Sequence, residues 1–281
     1  MRSLKITALI DNKATGTLSE EHGLSLLADY EGRTYLLDSG ASNAFASNAK
    51  KLGIDLSSVD TAVLSHAHYD HSGGYEAFFE QNGKANVYLR GDPTELCYMK
   101  LGPYKRYVGI PTTVLEKYPD RFIHVTRDMA LAEGVWLIGH STPQLSERGK
   151  RAHLYRKTRS GLLPDDFSHE QSLVFESASG LVILNSCCHA GADNIVSEVL
   201  SVLPGHEVAA IIGGFHLMGI RGVSTLGVRP VEVEALGRRL LTLGVKKSYI
   251  CHCTGDPAAK LLTDVMGERV SYLPGGSILE F

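Results

Sequence analysis

His66-Ala67-His68-Tyr69-Asp70-His71 places three imidazoles and one carboxylate within six residues. Imidazole and carboxylate are natural ligands of zinc, iron and manganese, so this stretch reads as half of a metal site. The short run from Asp60 to Ser65 just upstream is strand-like, and the histidines begin where it ends. They are therefore expected on a strand-to-helix loop, where rigid flanks hold functional groups in place.

Working outward, apolar alternation at Leu4 to Ile10, then at Leu24 to Tyr30 and Thr34 to Leu37 across the turn Glu31-Gly32, predicts a strand followed by a hairpin. Ser42 precedes an Ala-rich stretch that stops at Leu52-Gly53, the pattern of a capped helix. In the second half the reading gives strands at Ser172 to Glu176, Leu181 to Asn185, Val208 to Ile212 and Lys247 to Ile250, with helices at Asp193 to Leu203 and Pro230 to Leu243. Two β-rich halves with helices interspersed predict an α/β protein built as an αββα sandwich. From about Arg90 to Phe167 the periodicity weakens, while Pro, Tyr and Gly are frequent. The expectation is a single domain over 1–281 with an insertion or lid at about 90–167.

Hydrophobic residues make up 43% of the 281 residues and charged residues 21%, which allows a real core and argues against disorder. A net charge of -3 supplies no field to gather polyanions, so a small-molecule substrate is expected rather than nucleic acid. No apolar run is long enough to span a membrane, and the N-terminus lacks the apolar core of a signal peptide. Of the five cysteines, four crowd into Cys187-Cys188 and Cys251-x-Cys253, each pair beside a histidine. That suits a reducing compartment better than a disulfide framework, and the cytoplasm is the expected location. Composition leaves the oligomeric state open.

His66-x-His68-x-Asp70-His71 after a strand, with Asp38-Ser39-Gly40 after a hairpin, resembles the metallo-β-lactamase superfamily. Cys187-Cys188-His189-Ala190-Gly191, Gly213-Gly214-Phe215-His216-Leu217 and His252-Cys253-Thr254-Gly255 look more narrowly like its dihydropterin ribofuranosylaminobenzene phosphate synthase branch. The resemblance implies two divalent metal ions, zinc by default with iron or manganese acceptable to the same donors. His66, His68 and His189 would hold one, and Asp70, His71 and His252 the other, with a hydroxide between them. It implies hydrolysis of a small anionic ester, lactone or phosphoester. The branch name suggests instead a transferase or condensing enzyme acting on a pterin and a phosphorylated ribosyl-aminobenzene compound, and a third reading is a non-catalytic metal-containing sensor.

Around those ligands, Asp38 is expected either to orient a loop or ligand or to be a plain turn residue. Where many relatives carry a bridging Asp, this chain reads Ser186-Cys187-Cys188-His189. Cys187 is either a thiolate ligand or a small buried filler, the commoner role of a buried cysteine. His216 follows a Gly-Gly pair and is expected to contact substrate or donate a proton, unless its loop simply holds it. His140 is a weaker ligand candidate, His169 is expected to be structural or at the pocket rim, and His22, His124, His153 and His206 read as surface residues. Arg148, Lys150, Arg151, Arg156, Lys157 and Arg159 place six cations in twelve residues. They are either a solvated face or a rim in which Arg156 and Arg159 meet a substrate anion.

Overall fold

The computed structural model describes residues 2–91, 96–219 and 223–281. Residues 92–95, inside the segment read as an insertion, lie outside the described residues.

Among the described residues two seven-stranded sheets face each other. The first runs Ile278–Glu280, Leu4–Ile10, Ser25–Tyr30, Arg33–Leu37, Thr61–Val63, Val87–Arg90, Phe122–Val125. The second runs Val270–Tyr272, Lys247–Ile250, Val208–Gly213, Gly180–Leu184, Gln171–Ser177, Val135–Gly139, Met129–Ala132. The hairpin and the strand-to-helix alternation expected from the sequence are both present.

Each sheet is covered on both faces, which is why its central strands are continuous apolar runs rather than alternating ones. Along Gly180–Leu184, Val182 and Leu184 enter the layer between the sheets with Ile6, Leu26 and Phe175. Leu181 and Ile183 point the other way and pack with residues of the helices Ala192–Val202, Pro230–Thr242 and Asp256–Met266. The first sheet is backed in the same manner by Ala44–Lys51, Tyr75–Gln81 and Thr112–Lys117, through Phe45, Phe78 and Val114. The layering is therefore αββα. Burying one such side chain stabilises by roughly 1.5–3 kcal/mol, and Leu184→Ala at the centre would cost about 2–5 kcal/mol through the cavity it leaves.

Two local details qualify the sequence reading. Helix Ala44–Lys51 starts one residue later than a Ser42 cap requires, because the Ser42 hydroxyl donates to Glu21 Oε2 (2.6 Å) while accepting the Ala44 N–H (3.1 Å). Within 90–167, the strands Phe122–Val125, Met129–Ala132 and Val135–Gly139 extend the large sheets, whereas Leu96–Leu101, Tyr104–Tyr107, Leu154–Thr158 and Gly161–Pro164 form a separate four-stranded sheet. The residue that follows its strand Tyr104–Tyr107 reaches the histidine segment, since the Tyr69 N–H donates to the Val108 carbonyl (2.9 Å). No helix among the described residues is long and apolar enough to cross a membrane.

Candidate metal centre

Every segment that bears a candidate residue begins where a strand stops. Leu4–Ile10 delivers Asp11 and Asn12, Arg33–Leu37 delivers Asp38, and Thr61–Val63 delivers residues 66–71. From the second sheet, Gly180–Leu184 leads to Cys187 and His189, Val208–Gly213 to His216, and Lys247–Ile250 to His252 and Cys253. The two sheets thus bring the candidates together at one rim of the sandwich, beyond the strand ends where α/β proteins place their ligands.

Five histidines meet there. Ring centroids are 4.6 Å apart for His66 and His68, 4.3 Å for His66 and His71, 4.9 Å for His66 and His189, and 4.9 Å for His71 and His252. His66 Nε2, His68 Nε2, His252 Nε2 and both ring nitrogens of His189 are buried without a hydrogen-bond partner. A buried polar atom left unpaired costs roughly 1–3 kcal/mol, and each of these four neighbouring rings has at least one such nitrogen, a cost that ligation of a cation would offset. The donor set fits divalent metal.

The hydrogen bonds around the rings fix which nitrogen carries the lone pair. His71 Nδ1–H donates to Asp38 Oδ2 (2.8 Å), which leaves Nε2 as the acceptor. Ser65 Oγ–H donates to the same carboxylate (2.7 Å), because a carboxylate only accepts. Ser65 Oγ must then accept from His66 Nδ1–H (2.8 Å), which again leaves Nε2 free. Asp38, at a φ of 61° that aspartate tolerates, orients one histidine directly and a second through Ser65. Burial, reinforced by the neighbouring imidazoles, holds the pKa of His66 and His189 well below the ordinary value. For His68, burial and then His169 bring it down to about 3. All three are in the uncharged form that ligates. Burial works against charge at Asp70, but His71 and His252 outweigh it and keep Asp70 ionised well below the usual carboxylate range.

Several contacts in this network carried no signal in the sequence. His22, read as a surface residue, is instead partly buried, with Nε2 3.3 Å from Asp70 Oδ2 and its ring 4.7 Å from that of His252. Gly23 makes this approach feasible: a Cβ there would come 2.7 Å from the Asp70 carbonyl oxygen and 2.8 Å from the Ala41 amide nitrogen. Glu170 accepts the N–H groups of His189 (2.7 Å) and Ala190 (2.8 Å), while the Phe167 ring stacks on His189 at 4.2 Å. Cys253 Sγ lies 3.4 Å from Cys187 Sγ. None of these partners repeats at a fixed spacing, and only the closed fold juxtaposes them.

The remaining candidates are placed as follows. Cys187 Sγ lies 3.2 Å from His71 Nε2. The His216 ring is 4.3 Å from that of His189, with Nδ1 buried and unpartnered. His169 is buried at 5.6 Å from the His68 ring, accepts the Ala67 N–H at Nδ1 (3.1 Å) and stands 3.2 Å from Asp165 Oδ2 through Nε2. His140 lies away from the cluster, with Nδ1 2.8 Å from Glu198 Oε2 and Nε2 2.8 Å from Ser172 Oγ. Arg156 reaches Ser168 Oγ (2.6 Å) and Asp166 Oδ2 (3.0 Å), whereas Arg159 is exposed on the turn that follows. His124 and His153 are exposed, and His206 is half-buried.

Residues 19–145 match the family described as the Metallo-beta-lactamase superfamily. Over 299 aligned residues, covering 99% of this chain and 97% of the relative, the chain is 26% identical to the 7,8-dihydropterin-6-methyl-4-(beta-D-ribofuranosyl)-aminobenzene-5'-phosphate synthase of Methanocaldococcus jannaschii. A solved metal-dependent hydrolase of the β-lactamase superfamily superposes with a TM-score of 0.80 at 28% identity, covering 99% of both chains. The metallo-beta-lactamase fold protein YhfI from Bacillus subtilis shares the fold, with a TM-score of 0.58 at 12% identity over 100% of both chains. With two facing sheets, a histidine-rich rim at their strand ends and relatives that match from end to end, the chain has the metallo-β-lactamase fold and is similar over its whole length to proteins of that superfamily.

Proposed function

We propose that this chain is a metal-dependent hydrolase of a small anionic ester, lactone or phosphoester, in which His66, His68 and His189 hold one divalent ion and Asp70, His71 and His252 a second. The observation that carries the reading is the gathering at the strand ends of four buried imidazole rings, His66, His68, His189 and His252, each with an unpartnered nitrogen. When bound, the metals, zinc by default, supply Lewis acidity and a water whose proton is easily lost. Asp38, Ser65 and Asn12 keep the ligating nitrogens unprotonated by accepting the proton of the opposite ring nitrogen. His216 serves as substrate contact or proton donor to the departing group, its ring being carried to within 4.3 Å of His189 by the Gly213-Gly214 turn. At Gly214 a Cβ would come 2.5 Å from Cys253 Sγ, so only glycine lets this turn close. The five cysteines are all free thiols, which supports a cytoplasmic location.

Elemental analysis of the purified protein should find close to two transition-metal ions per chain, and His66→Ala should lose metal and turnover together. Protein that holds no metal, even after reconstitution, overturns the reading. A second reading, transfer or condensation on a pterin and a phosphorylated ribosyl compound, is favoured by the end-to-end similarity to the archaeal synthase. Product analysis separates the two: water appears in the product of the first, and a new bond between two organic substrates in that of the second.

A further inference from the structure

We propose that Cys187 and Cys253 are the sulfur half of this centre, with Cys187 a thiolate ligand common to both histidine sets and Cys253 its partner, and that they select a thiophilic ion such as zinc over manganese or magnesium. The inference rests on the reading of the histidines and Asp70 as a metal centre.

The position of Cys187 is the first observation. Its sulfur groups within 4.8 Å with donor atoms of His66 and His71, separately with His189 and His216, and separately with His252 and Cys253. It therefore neighbours members of both proposed sets, His66 and His189 on one side and His71 and His252 on the other. The nearest of these atoms, His71 Nε2 at 3.2 Å, carries its lone pair toward the sulfur because its other nitrogen donates to Asp38.

The chain also contains its own control for the alternative, a cysteine that merely fills apolar space. Cys188 belongs to the hydrophobic cluster under the second sheet's helices, and Cys251 to the layer between the sheets. Cys187 and Cys253 are buried just as deeply, at 3% and 6% exposure, yet belong to none of the three hydrophobic clusters. Their surroundings are imidazoles, a carboxylate and each other. The separation of 3.4 Å between the two sulfurs is well beyond the bond of about 2.05 Å in a disulfide, so both are available as donors.

Thiolate ligands favour zinc, whereas magnesium and manganese prefer oxygen. As the ion binds, the sulfur–metal bond forms and the thiol proton leaves to solvent, so no oxidant or reductant takes part. Two sulfurs beside a carboxylate and histidines make the centre softer than one built from nitrogen and oxygen alone.

The test uses the whole chain, stripped with a chelator and reloaded with cobalt(II) or zinc alone. Cobalt-loaded parent should show a sulfur-to-cobalt charge-transfer band in the near ultraviolet, and zinc-loaded parent a sulfur shell at about 2.3 Å by X-ray absorption. Cys187→Ser should abolish the band and lower zinc affinity by roughly 10–100-fold or more, with a smaller loss for manganese. Cys253→Ser should weaken the band, and Cys251→Ala should leave it intact. Parent protein that binds metal at full stoichiometry with neither a band nor a sulfur shell overturns the proposal and leaves the histidine centre standing. Parent that binds no metal overturns both. The two parent measurements need no variant, so a Cys187→Ser chain that fails to fold does not protect the proposal.

Discussion

Asn12 Oδ1 stands 2.9 Å from His252 Nδ1, and the same amide's Nδ2 donates to the His252 carbonyl oxygen at 3.3 Å. A carbonyl only accepts, so the amide orientation is fixed and Oδ1 must receive His252 Nδ1–H. Burial works against charge on His252, but Cys253 and Asp70 outweigh it and push its pKa up to about 9, so Nε2 turns its lone pair toward the centre only when an arriving cation displaces that second proton. Asn12 Nδ2 also lies 3.3 Å from His22 Nδ1, which assigns the His22 proton to Nε2, facing Asp70 Oδ2. One asparagine therefore gives two neighbouring histidines opposite duties: His252, once deprotonated, offers an electron pair, and His22 offers a proton to the carboxylate.

From this follows a prediction for Asn12→Leu. The side chain keeps the volume but loses both contacts, so His252 is free to take the wrong tautomer. Metal affinity should fall about 10–100-fold, the usual cost of losing a partner behind a ligand, while the fold persists. Chelator competition measures it. An unchanged affinity would show that His252 is oriented by its backbone alone.

Asp38 supports more of the centre than any other side chain outside it, accepting from Ser65 N (2.7 Å), Ser65 Oγ (2.7 Å) and His71 Nδ1 (2.8 Å) while fully buried. Asp38→Ala leaves three donors unpaired and should cost roughly 3–5 kcal/mol of stability, the scale seen when one partner of a buried polar pair is removed. Metal content should drop with it. Asp38→Asn, which tolerates the positive φ, should be the milder change. Thermal unfolding of the two stripped variants gives the order, and equal melting temperatures for Asp38→Ala and the parent would refute the account.

The αββα architecture was legible because strands covered on both faces must be apolar runs, as Leu181 to Leu184 are, and because glycine and serine punctuate the helices. The histidine segment was legible because its donors are contiguous. Asn12, Ser65 and Glu170 were not, since the chain brings Asn12 to His22 and His252, Ser65 to Asp38, and Glu170 to His189 and Ala190 only by folding. His22 was misread for the same reason: its meaning lies in the tight packing of Gly23 on the Asp70 backbone, which no local pattern announces. Cys253 was overshadowed by Cys187 because the sequence says nothing about the distance between two loops.

His140 is a case in which the structure separates two kinds of histidine. Both its nitrogens are satisfied, by Glu198 and Ser172, so it has no lone pair to offer a metal. Glu198→Gln should therefore leave metal content unchanged and cost up to roughly 1 kcal/mol at neutral pH, as befits a partly exposed pair. Burial opposes charge at Glu198, but the hydrogen bond and charge of His140 outweigh it, so its pKa is lower folded than unfolded. The stabilisation is therefore complete above the unfolded value of about 4.5 and vanishes as pH falls through the folded one. Parent and variant should converge in acid; a gap that persists there, or lost metal, would contradict the structural role.

The last prediction divides Arg156 from Arg159, which the sequence offered as a pair that meets a substrate anion. Arg156 is already engaged: its guanidinium bonds Ser168 and Asp166, the residues on either side of Phe167, whose ring lies flat on His189. Two residues further on, Glu170 clamps the amides of His189 and Ala190. Arg156→Ala should therefore loosen the 166–170 loop, lower the affinity for metal and reduce kcat on every substrate, neutral esters included. Arg159 lies exposed on the turn between Leu154–Thr158 and Gly161–Pro164, and any role it has is toward something that arrives from solvent. If it meets a substrate anion, the charge-assisted contact is worth about 1.5–3 kcal/mol, so Arg159→Ala should raise KM roughly 10–100-fold for anionic substrates while sparing neutral ones and metal content. The two variants, assayed side by side on a phosphorylated or carboxylated ester and its neutral analogue, should thus fail in different ways. An Arg156→Ala protein with full metal and a KM defect confined to anions would return Arg156 to substrate binding, and an Arg159→Ala protein with unchanged KM values would leave the cations as a solvated face.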